Sequence, residues 1–242
     1  MTHVDLLAFG AHPDDIEIGM GGTVAHHVGL GGRVGLCDLT AGEMGSNGTV
    51  EQRLAEAEDA REVLGAAWRT NLRLPDRALG HADHVRAAAS QIRKARPRVV
   101  AIPHGGDRHP DHVAAHRLLV EAIFSAGLRR YDADGEAWRP DWFCLYFIND
   151  AATPSFVIDV SARYEIKRQA LACHRSQFAP TDTGATATRL TASTFQQLIE
   201  SRDAQFGAVA GVPFAEGFVV RDPLVRSSLF KDDTAAPRSA TA

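Results

Sequence analysis

Short apolar runs alternate with segments of helical character along this chain, and this alternation restricts the fold more than any other feature. Each run has the length of a strand, and the run at 99–103 has the continuous apolar character of a strand that is covered on both faces of its sheet. The runs lie at residues 6–11, 34–39, 99–103, 142–148 and 156–160. Strands separated by helices form a mostly parallel sheet with helices on both faces. The sequence therefore predicts an α/β fold.

The segments between the runs carry helix start and stop signals. Thr49 and Gln52 have the spacing of a capping box, in which each side chain accepts a hydrogen bond from the other residue's backbone, and Gly65 is placed to end that helix. Pro97 ends another helix, and Pro110 suits a first helical position. Helices are predicted at 50–64, 84–95, 110–126, 164–173 and 193–206. The interval between the first two runs completes a β-α-β unit.

Length and composition indicate one globular domain. The chain has 242 residues, of which 45% are hydrophobic and 23% charged, close to globular averages. No linker or repeat divides it, so we predict one domain over 1–230 and a disordered tail over 231–242. The segment 179–193, rich in Thr and Gly, is predicted to be a lid or binding loop.

Charge and cysteine usage exclude several classes of function. The formal net charge of −4 provides no global positive field for a nucleic-acid backbone, so no nucleic-acid partner is expected. Cys37, Cys144 and Cys173 are odd in number and widely spaced, which argues against disulfides or a thiolate zinc site. The first apolar run is too short for a signal peptide or a membrane span. We therefore expect a cytoplasmic protein with no membrane partner.

The first polar cluster follows the first strand directly. Residues 11–15 read Ala-His-Pro-Asp-Asp, which places an imidazole and two carboxylates at the carboxyl edge of the sheet. Ligands of open α/β sheets bind at that edge. Adjacent side chains in a turn point in different directions, so Asp14 and Asp15 are not both expected to hold one ion. One of them can bind a metal while the other stays free.

A second cluster follows the strand 99–103 and is predicted to lie at the same edge. Residues 107–112 read Asp-Arg-His-Pro-Asp-His. His12, one Asp and one His of this cluster form the ligand set of a catalytic zinc with an open position for water. Such an ion activates water and polarises a carbonyl. The free Asp would take the water's proton, and the remaining His would stabilise the oxyanion or protonate the leaving group.

Each cluster also has a structural interpretation. Either could be a turn whose Asp or His caps the following helix. Their joint occurrence after two strands favours the metal site. His116 is four residues beyond His112, but Val113 stands where a His-Glu-x-x-His motif needs Glu, so His116 is placed near the ligands or on the helix surface. Isolated histidines are expected mostly at the surface: His26, His27, His81, His84, His104 and His174.

Gly19, Gly21 and Gly22 follow the first strand and partly match a dinucleotide-binding fingerprint. Val24 stands at the third glycine position, and residues 12–15 occupy the turn that would hold pyrophosphate. The glycines are therefore predicted to permit close packing of a helix on the sheet. A nucleotide-binding module is kept as an alternative from another class of function.

Arg53 is predicted in the first turn of the helix 50–64. It could be an exposed partner of Glu56 at i,i+3. That role is the more common one for such an arginine. Its position at a loop-to-helix junction near the polar edge keeps anion binding open as well, because a guanidinium holds a carboxylate through two hydrogen bonds. Arg53 is therefore the candidate substrate-binding residue.

The two clusters resemble the motifs of the LmbE-like, or PIG-L-type, zinc-dependent N-acetylglucosamine deacetylases. Residues 40–49, Leu-Pro-Asp-Arg at 74–77, and 126–131 through Pro140 resemble the bacillithiol-biosynthesis branch, which acts on N-acetylglucosaminyl malate. The likeness runs from about residue 4 to 178. It departs at Ala41, where Arg is expected, and at Cys173-His174, where Ala-Tyr is more typical; His174 could alter the substrate pocket.

The resemblance implies a single Rossmann-like domain, a homohexamer and specific roles. His12, Asp15 and His112 would be the Zn²⁺ ligands and Asp14 the base. His109 would be the oxyanion partner or acid, Asp111 its orienting residue, and Arg53 a substrate contact. The sequence thus predicts a zinc-dependent hydrolase that removes the acetyl group of GlcNAc-malate. Alternatives are another conjugate (GlcNAc-inositol, diacetylchitobiose or a thiol conjugate), the nucleotide-binding module, or a non-haem iron oxygenase, since two His and one carboxylate also suit Fe(II).

Overall fold

One seven-stranded sheet organises the protein. The structure is a computed structural model and describes residues 3–180 and 184–223. The predicted tail at 231–242 lies outside the described residues. The strands are β1 Leu6–Gly10, β2 Val34–Thr40, β3 Trp68–Leu74, β4 Val99–Pro103, β5 Trp142–Tyr146, β6 Phe156–Asp159 and β7 Ala215–Val219.

The helices alternate with the first five strands and then follow the sixth. They are α1 Asp15–Gly29, α2 Val50–Leu64, α3 Ala82–Ala95, α4 Pro110–Ala126, α5 Tyr164–Cys173, α6 Arg175–Phe178 and α7 Ser193–Ala210. Three predicted helices have the bounds of α2, α4 and α5. The other two differ at one end, because α3 begins two residues earlier than predicted and α7 continues four residues further.

The strand order places a switch point between β1 and β4. The order is β3-β2-β1-β4-β5-β7-β6. Strands β3, β2, β1, β4 and β5 are mutually parallel, and β7 runs antiparallel to both β5 and β6. Strands β2 and β3 are added on one side of β1, and β4 and the later strands lie on its other side. The predicted mostly parallel α/β sheet is confirmed, and a crevice at its carboxyl edge follows from the order reversal.

Side chains of the central strand alternate between two apolar cores. Leu6 and Ala8 of β1 contact the core on the face of the sheet that α1 covers, whereas Leu7 and Phe9 contact the core on the face of α3 and α4. All four are buried. A strand covered on both faces needs apolar residues at every position, which explains the continuous apolar run in the sequence.

Two strands were not predicted because buried charges interrupt their apolar pattern. β3 contains Arg69, whose guanidinium pairs with Asp38 and Glu17. β7 contains Glu216, which is fully buried against Lys167. The predicted strands 142–148 and 156–160 are also shorter in the structure, ending at Tyr146 and Asp159.

The α2 caps confirm part of the sequence prediction. The Thr49 hydroxyl accepts a hydrogen bond from the Gln52 backbone N–H at 3.2 Å, and Gly65 ends the helix with φ 72°. The second bond of the capping box, from the Thr49 backbone N–H to the Gln52 side chain, was predicted wrongly, because the Gln52 amide donates to Glu56 instead. Glu56 is buried and accepts hydrogen bonds from Ser176, which draws the amide away from the helix start.

Within the described part of the chain, no helix combines the length and apolar character needed to cross a membrane.

Candidate functional site

The two predicted clusters meet at the switch point. Residues 11–15 leave β1 and enter α1, and residues 107–112 follow β4 and enter α4. The imidazole rings of His12 and His109 lie 4.9 Å apart, and those of His12 and His112 lie 5.5 Å apart, measured between ring centroids. The fold therefore brings together residues that are about 100 positions apart in sequence.

The turn at residues 12–15 is tightly held. The His12 N–H donates to the Asp15 carboxylate at 2.8 Å, and the Asp15 N–H faces the His12 carbonyl at 3.4 Å. Asp14 has φ 130° and ψ −25°, a conformation that residues with a side chain rarely adopt and that costs about 1–3 kcal/mol. This backbone sends the two carboxylates to different neighbours, as predicted.

Asp15 lies between two of the predicted imidazole ligands. Its Oδ1 is 3.1 Å from His112 Nε2, and its Oδ2 is 3.5 Å from His12 Nδ1. All three side chains are buried. Burial alone would raise the pKa of Asp15, but His112 and His12 outweigh it and hold the pKa well below its usual range. The structure thus brings the predicted ligand trio together.

The side chains around His12 offer the donor atoms that a zinc ion takes. Two groups have mutually close ligand atoms: His12 with His109 and His112, and His12 with Asp76 and Asp111. Asp15 belongs to neither, although it contacts two of these histidines. The Asp111 Oδ2 is buried without a hydrogen-bond partner among the described residues and lies 3.6 Å from His12 Nε2. A buried acceptor of this kind is costly unless a cation or donor approaches it. Imidazole and carboxylate groups of this kind fit zinc.

Asp107 contacts Nδ1 of His112, the ring nitrogen opposite the one that faces Asp15. Its Oδ1 lies 3.0 Å from His112 Nδ1, and Asn149 donates to the same carboxylate. Burial alone would lower the pKa of His112, but Asp15 and Asp107 outweigh it and raise the pKa to about 9. A carboxylate on the second ring nitrogen fixes the tautomer of a ligating histidine and leaves Nε2 for the ligand role.

His109 caps α4, and this fixes its tautomer. Its Nδ1 accepts a hydrogen bond from the Asp111 backbone N–H at 3.2 Å, so the neutral ring carries its proton on Nε2. Burial lowers the pKa of His109, and so do the neighbouring His12 and His112. The Asp111 carboxylate is 3.8 Å from His109 Nδ1, too far for a hydrogen bond. Asp111 therefore contacts His109 through its backbone rather than its side chain.

Asp14 pairs with Arg53 and lines the same cavity as the histidine cluster. Burial raises the pKa of Asp14 to about 6, although the Arg53 charge opposes this. Arg53 Nη2 lies 3.4 Å from Asp14 Oδ2, and the guanidinium also donates to the carbonyls of Pro13 and Gly42. The interpretation of Arg53 as an exposed partner of Glu56 is wrong, because Arg53 is buried. A carboxyl that titrates near neutral pH suits a general base.

The sequence did not single out Asp76 as a site residue. Asp76 follows β3, and its Oδ1 lies 3.2 Å from His12 Nε2 while its Oδ2 accepts the Met44 N–H. It thus connects the loop after β2 to the histidine cluster. The signal that could have found it was its position in Leu-Pro-Asp-Arg after a strand, but β3 was not recognised as a strand.

A cavity of about 440 Å³ opens over these residues. Asp14 and Asp15 lie on its lining together with Arg77, Arg108 and Arg189. Such a volume is in the range of small-molecule sites. Part of the predicted loop 179–193 contributes to the lining, through Thr188, Arg189 and Leu190; residues 181–183 of that loop lie outside the described residues.

Hydrogen bonds connect the loop after β2 to the described part of the loop 179–193. Asn47 Nδ2 donates to the Thr186 carbonyl at 2.9 Å, and the Thr186 N–H donates to Asn47 Oδ1 at 2.8 Å. Gln177 donates to the Asn47 carbonyl from a third segment. The predicted binding-loop role is supported by these contacts and remains a prediction.

The remaining histidines and glycines lie mainly in structural positions. His84 and His174 are buried, so the surface expectation is wrong for these two. His174 lies against Glu17 at 3.4 Å, and His116 Nδ1 faces the Pro103 carbonyl. A Cβ at Gly19 would lie 2.2 Å from the Tyr146 ring, which confirms the predicted close packing and leaves no space for a phosphate there.

Comparisons with known proteins find similarity to GlcNAc deacetylases. The family model PIG-L, GlcNAc-PI de-N-acetylase, matches residues 7–123. The diacetylchitobiose deacetylase of Thermococcus kodakarensis is 32% identical over an alignment of 186 residues that covers 72% of this chain and 70% of that protein. A 1D-myo-inositol 2-acetamido-2-deoxy-alpha-D-glucopyranoside deacetylase of Geodermatophilus obscurus is 34% identical over 58% of this chain, which spans 61% of that protein.

A solved structure is similar over nearly the whole chain. The conserved protein TT1542 from Thermus thermophilus superposes with a TM-score of 0.85 and 36% sequence identity. The match covers 94% of this chain and 99% of that chain.

Proposed function

Because the chain belongs to the PIG-L family of GlcNAc deacetylases, we propose that it is a zinc-dependent hydrolase that removes the N-acetyl group of a small GlcNAc conjugate, GlcNAc-malate. The position of Asp14 relative to the proposed zinc ligands is the main support for zinc-dependent hydrolysis. Asp14, whose pKa is raised to about 6, lines the same cavity as the buried side chains of His12, Asp15 and His112. A base and a zinc-type ligand set thus face the same space.

His12, Asp15 and His112 would hold the metal. When bound, zinc lowers the pKa of a water molecule and polarises the acetamide carbonyl of the substrate. Asp107 keeps the His112 ring in the tautomer that this role needs. His109 is the first substitute if one of these three is not a ligand, because its ring belongs to the same group of close nitrogen atoms.

Asp14 would take a proton from the attacking water. The water oxygen bonds to the carbonyl carbon, and the proton moves to a carboxylate oxygen of Asp14. The raised pKa of Asp14 leaves it ionised at neutral pH yet basic enough to accept that proton. Arg53 holds the carboxylate in place from the other side.

His109 would act on the oxyanion and the leaving amine. Its Nδ1 is occupied by the Asp111 N–H, so its Nε2–H is the donor available to the negative oxygen. When the C–N bond breaks, the glucosamine nitrogen takes a proton from His109 or from protonated Asp14. The products are acetate and the free amine.

The arginines that line the cavity support an acidic aglycone. The guanidinium of Arg53 is already bonded to Pro13, Gly42 and Asp14, so a new anion would compete with these partners. Arg108 and Arg189 are exposed side chains of the lining. Malate adds two carboxylates, and guanidinium groups bind carboxylates in a bidentate manner.

The named relatives favour a second candidate substrate class. Those proteins are deacetylases of diacetylchitobiose and of a GlcNAc-inositol, both of which have an uncharged second moiety. The same Asp14, His109 and metal ligands would serve these substrates. Only the aglycone side of the cavity would differ.

The experiment is an assay of primary amine release from GlcNAc-malate, GlcNAc-inositol and diacetylchitobiose by the zinc-loaded protein. We expect the highest kcat/KM with GlcNAc-malate. In Arg189→Ala, loss of one charge-assisted contact should lower kcat/KM for GlcNAc-malate by roughly 10-fold or more and leave the uncharged substrates nearly unchanged. Equal hydrolysis of all three substrates by the wild type would refute the malate assignment and leave the deacetylase proposal standing.

Arg53→Ala distinguishes the two roles that Arg53 could have, which are binding of malate and action through Asp14. If Arg53 receives malate as the sequence predicts, the loss of about 1.5–3 kcal/mol should be confined to the acidic substrate. A similar loss on all three substrates would show that Arg53 acts through Asp14 at the shared acetamide end. Arg61→Ala, on the same helix but remote from the cavity lining, is the matched control.

A further inference from the structure

Helix α1 is broken at Met20, one turn beyond the two aspartates of the site. Met20 has φ −150° and ψ 23°, outside the helical region. Glycines on either side let other elements enter the break. A Cβ at Gly19 would collide with the Tyr146 ring, and a Cβ at Gly22 would lie 2.8 Å from Val160. Such a break leaves backbone hydrogen-bonding groups without their helical partners.

Glu216 of β7 satisfies the N–H side of the break. Its two carboxylate oxygens accept the N–H groups of Gly22 and Thr23 at 3.0 and 2.6 Å. In a regular helix these N–H groups would bond to carbonyls four residues earlier. A carboxylate on the first free N–H groups caps the second half of α1 as it would cap any helix start.

Arg202 of α7 satisfies the carbonyl side and reaches a second element. Its Nη2 donates to the Ile18 carbonyl at 2.7 Å, and its Nη1 donates to the carbonyls of Phe147 and Ile148 at 3.1 and 2.9 Å. Ile18 and Ile148 both line the cavity. One guanidinium therefore connects the first half of α1 to the segment that follows β5.

The first of these elements carries residues of the site, and the second contacts His112. The first half of α1 begins at Asp15 and follows the strained Asp14. The segment after β5 continues to Asn149, which donates to Asp107 and lies 3.4 Å from His112 Nδ1. A shift of one element relative to the other would change the distance between Asp15 and His112.

Arg202 and Glu216 belong to a buried network of ion pairs in which positive and negative charges are equal in number. Arg202 Nε pairs with Asp203, and the Lys167 ammonium pairs with both Asp203 and Glu216. Two cations and two carboxylates are thus connected in one chain, and all four are buried. Buried charges are tolerated only when they are paired, so each member depends on the others.

We propose that Arg202 and Glu216 are positioning residues for the metal and the base: they satisfy the broken backbone of α1 and thereby fix Asp14 and Asp15 opposite His112. The inference rests on the proposed function, because it assigns the network to the zinc site. Neither residue touches substrate; both act through the backbone that carries the site. Stabilisation of the fold alone would not require Arg202 to connect the element that carries Asp15 to the segment that contacts His112.

The test uses Arg202→Lys and Glu216→Gln in the full chain. Lysine keeps the charge beside Asp203 but lacks the fork that reaches three carbonyls, and glutamine offers only one acceptor to the two N–H groups. Zinc affinity is measured by competition with a chromophoric chelator, kcat and KM by amine release, and folding by thermal unfolding. Glu200→Gln, an exposed carboxylate on the same helix that pairs with Arg168, is the control.

We expect each variant to bind zinc roughly 10-fold more weakly while it is still folded, the lower end of the effect of removing groups that orient metal ligands. We also expect kcat to fall by a similar factor with KM nearly unchanged, because the rest of the cavity is intact. Wild-type zinc affinity and kcat in both folded variants would overturn the inference. Loss of zinc only upon unfolding would overturn it as well. A wild type that binds no zinc would count against the proposed function instead.

Discussion

Asp14 and Asp15 are adjacent, and the backbone between them gives their carboxylates different neighbours. Asp15 faces His12 and His112, whereas Asp14 faces Arg53. The first arrangement suits a metal ligand and the second a base. The sequence allowed this division because adjacent side chains in a turn diverge. The strained φ at Asp14 shows how the turn achieves it.

Asp14→Asn tests the base at the scale of one residue. Asparagine keeps the shape of the side chain but cannot take a proton, so turnover should fall by about 10²–10⁴ while zinc remains bound. The measurements are kcat and zinc content by elemental analysis. A variant that keeps near-normal turnover, or that loses its zinc, would mean that the roles of the two aspartates are reversed.

His112→Ala tests the metal ligands. Removal of this imidazole should abolish tight zinc binding, because Asp15 and His12 alone leave the site with two ligands. His116→Ala, on the same helix four residues later, should keep its zinc. Full zinc retention by the His112 variant would move the third ligand to another side chain, and His109 is the nearest candidate.

The metal-binding and catalytic residues that the sequence predicted share one property: they follow strands that were recognisable as apolar runs. His12 and His109 come directly from such positions, so their meeting could be predicted from the parallel sheet. Asp76 also follows a strand, but the charged and polar residues of β3 interrupt its apolar pattern, so this strand was not predicted. The contact between Asp76 and His12 therefore became visible only in three dimensions.

At the scale of elements, single-sequence patterns located helices better than strands with buried charges. Helix α2 has the predicted bounds because Thr49 and Gly65 are local signals. Strands β3 and β7 carry Arg69 and Glu216, whose partners lie on other elements. A buried charge is compatible with a strand only when its partner is nearby, and one segment of sequence contains no information about that partner.

Thr49→Ala tests the contribution of the α2 cap. The Thr49 hydroxyl accepts the Gln52 N–H, and its loss should lower the free energy of unfolding by about 1 kcal/mol. Urea denaturation measures this change. Thr49→Ser keeps the hydroxyl and should unfold close to the wild type. An alanine variant as stable as the serine variant would show that the cap contributes nothing.

At the scale of the whole molecule, stability in acid should depend on buried ion pairs between elements. Burial alone would raise the pKa of Glu17, but Arg69 and His174 outweigh it and lower the pKa from its usual 4.5 to about 2. The carboxylate form is therefore favoured by folding. Its contribution is complete above about pH 4.5 and is lost as the pH falls towards 2.

Glu17→Gln should therefore flatten the loss of stability between about pH 5 and 2. It should also destabilise the protein at neutral pH, because Arg69 keeps only Asp38 as a carboxylate partner. The measurement is the free energy of unfolding as a function of pH. Glu58→Gln, in an exposed pair with Arg61, is the control and should keep the wild-type slope. Identical slopes in both variants would contradict the role of Glu17.

The cluster at the switch point is, we propose, a zinc-dependent deacetylase site. The most direct test strips the purified protein of metal with a chelator, restores one equivalent of zinc, and measures release of primary amine from GlcNAc-malate and the two uncharged conjugates. We expect no turnover without metal, recovery of turnover with about one zinc per chain, and no recovery in His112→Ala. Amine release that is independent of zinc, or zinc-loaded protein that deacetylates none of the three conjugates, would contradict it.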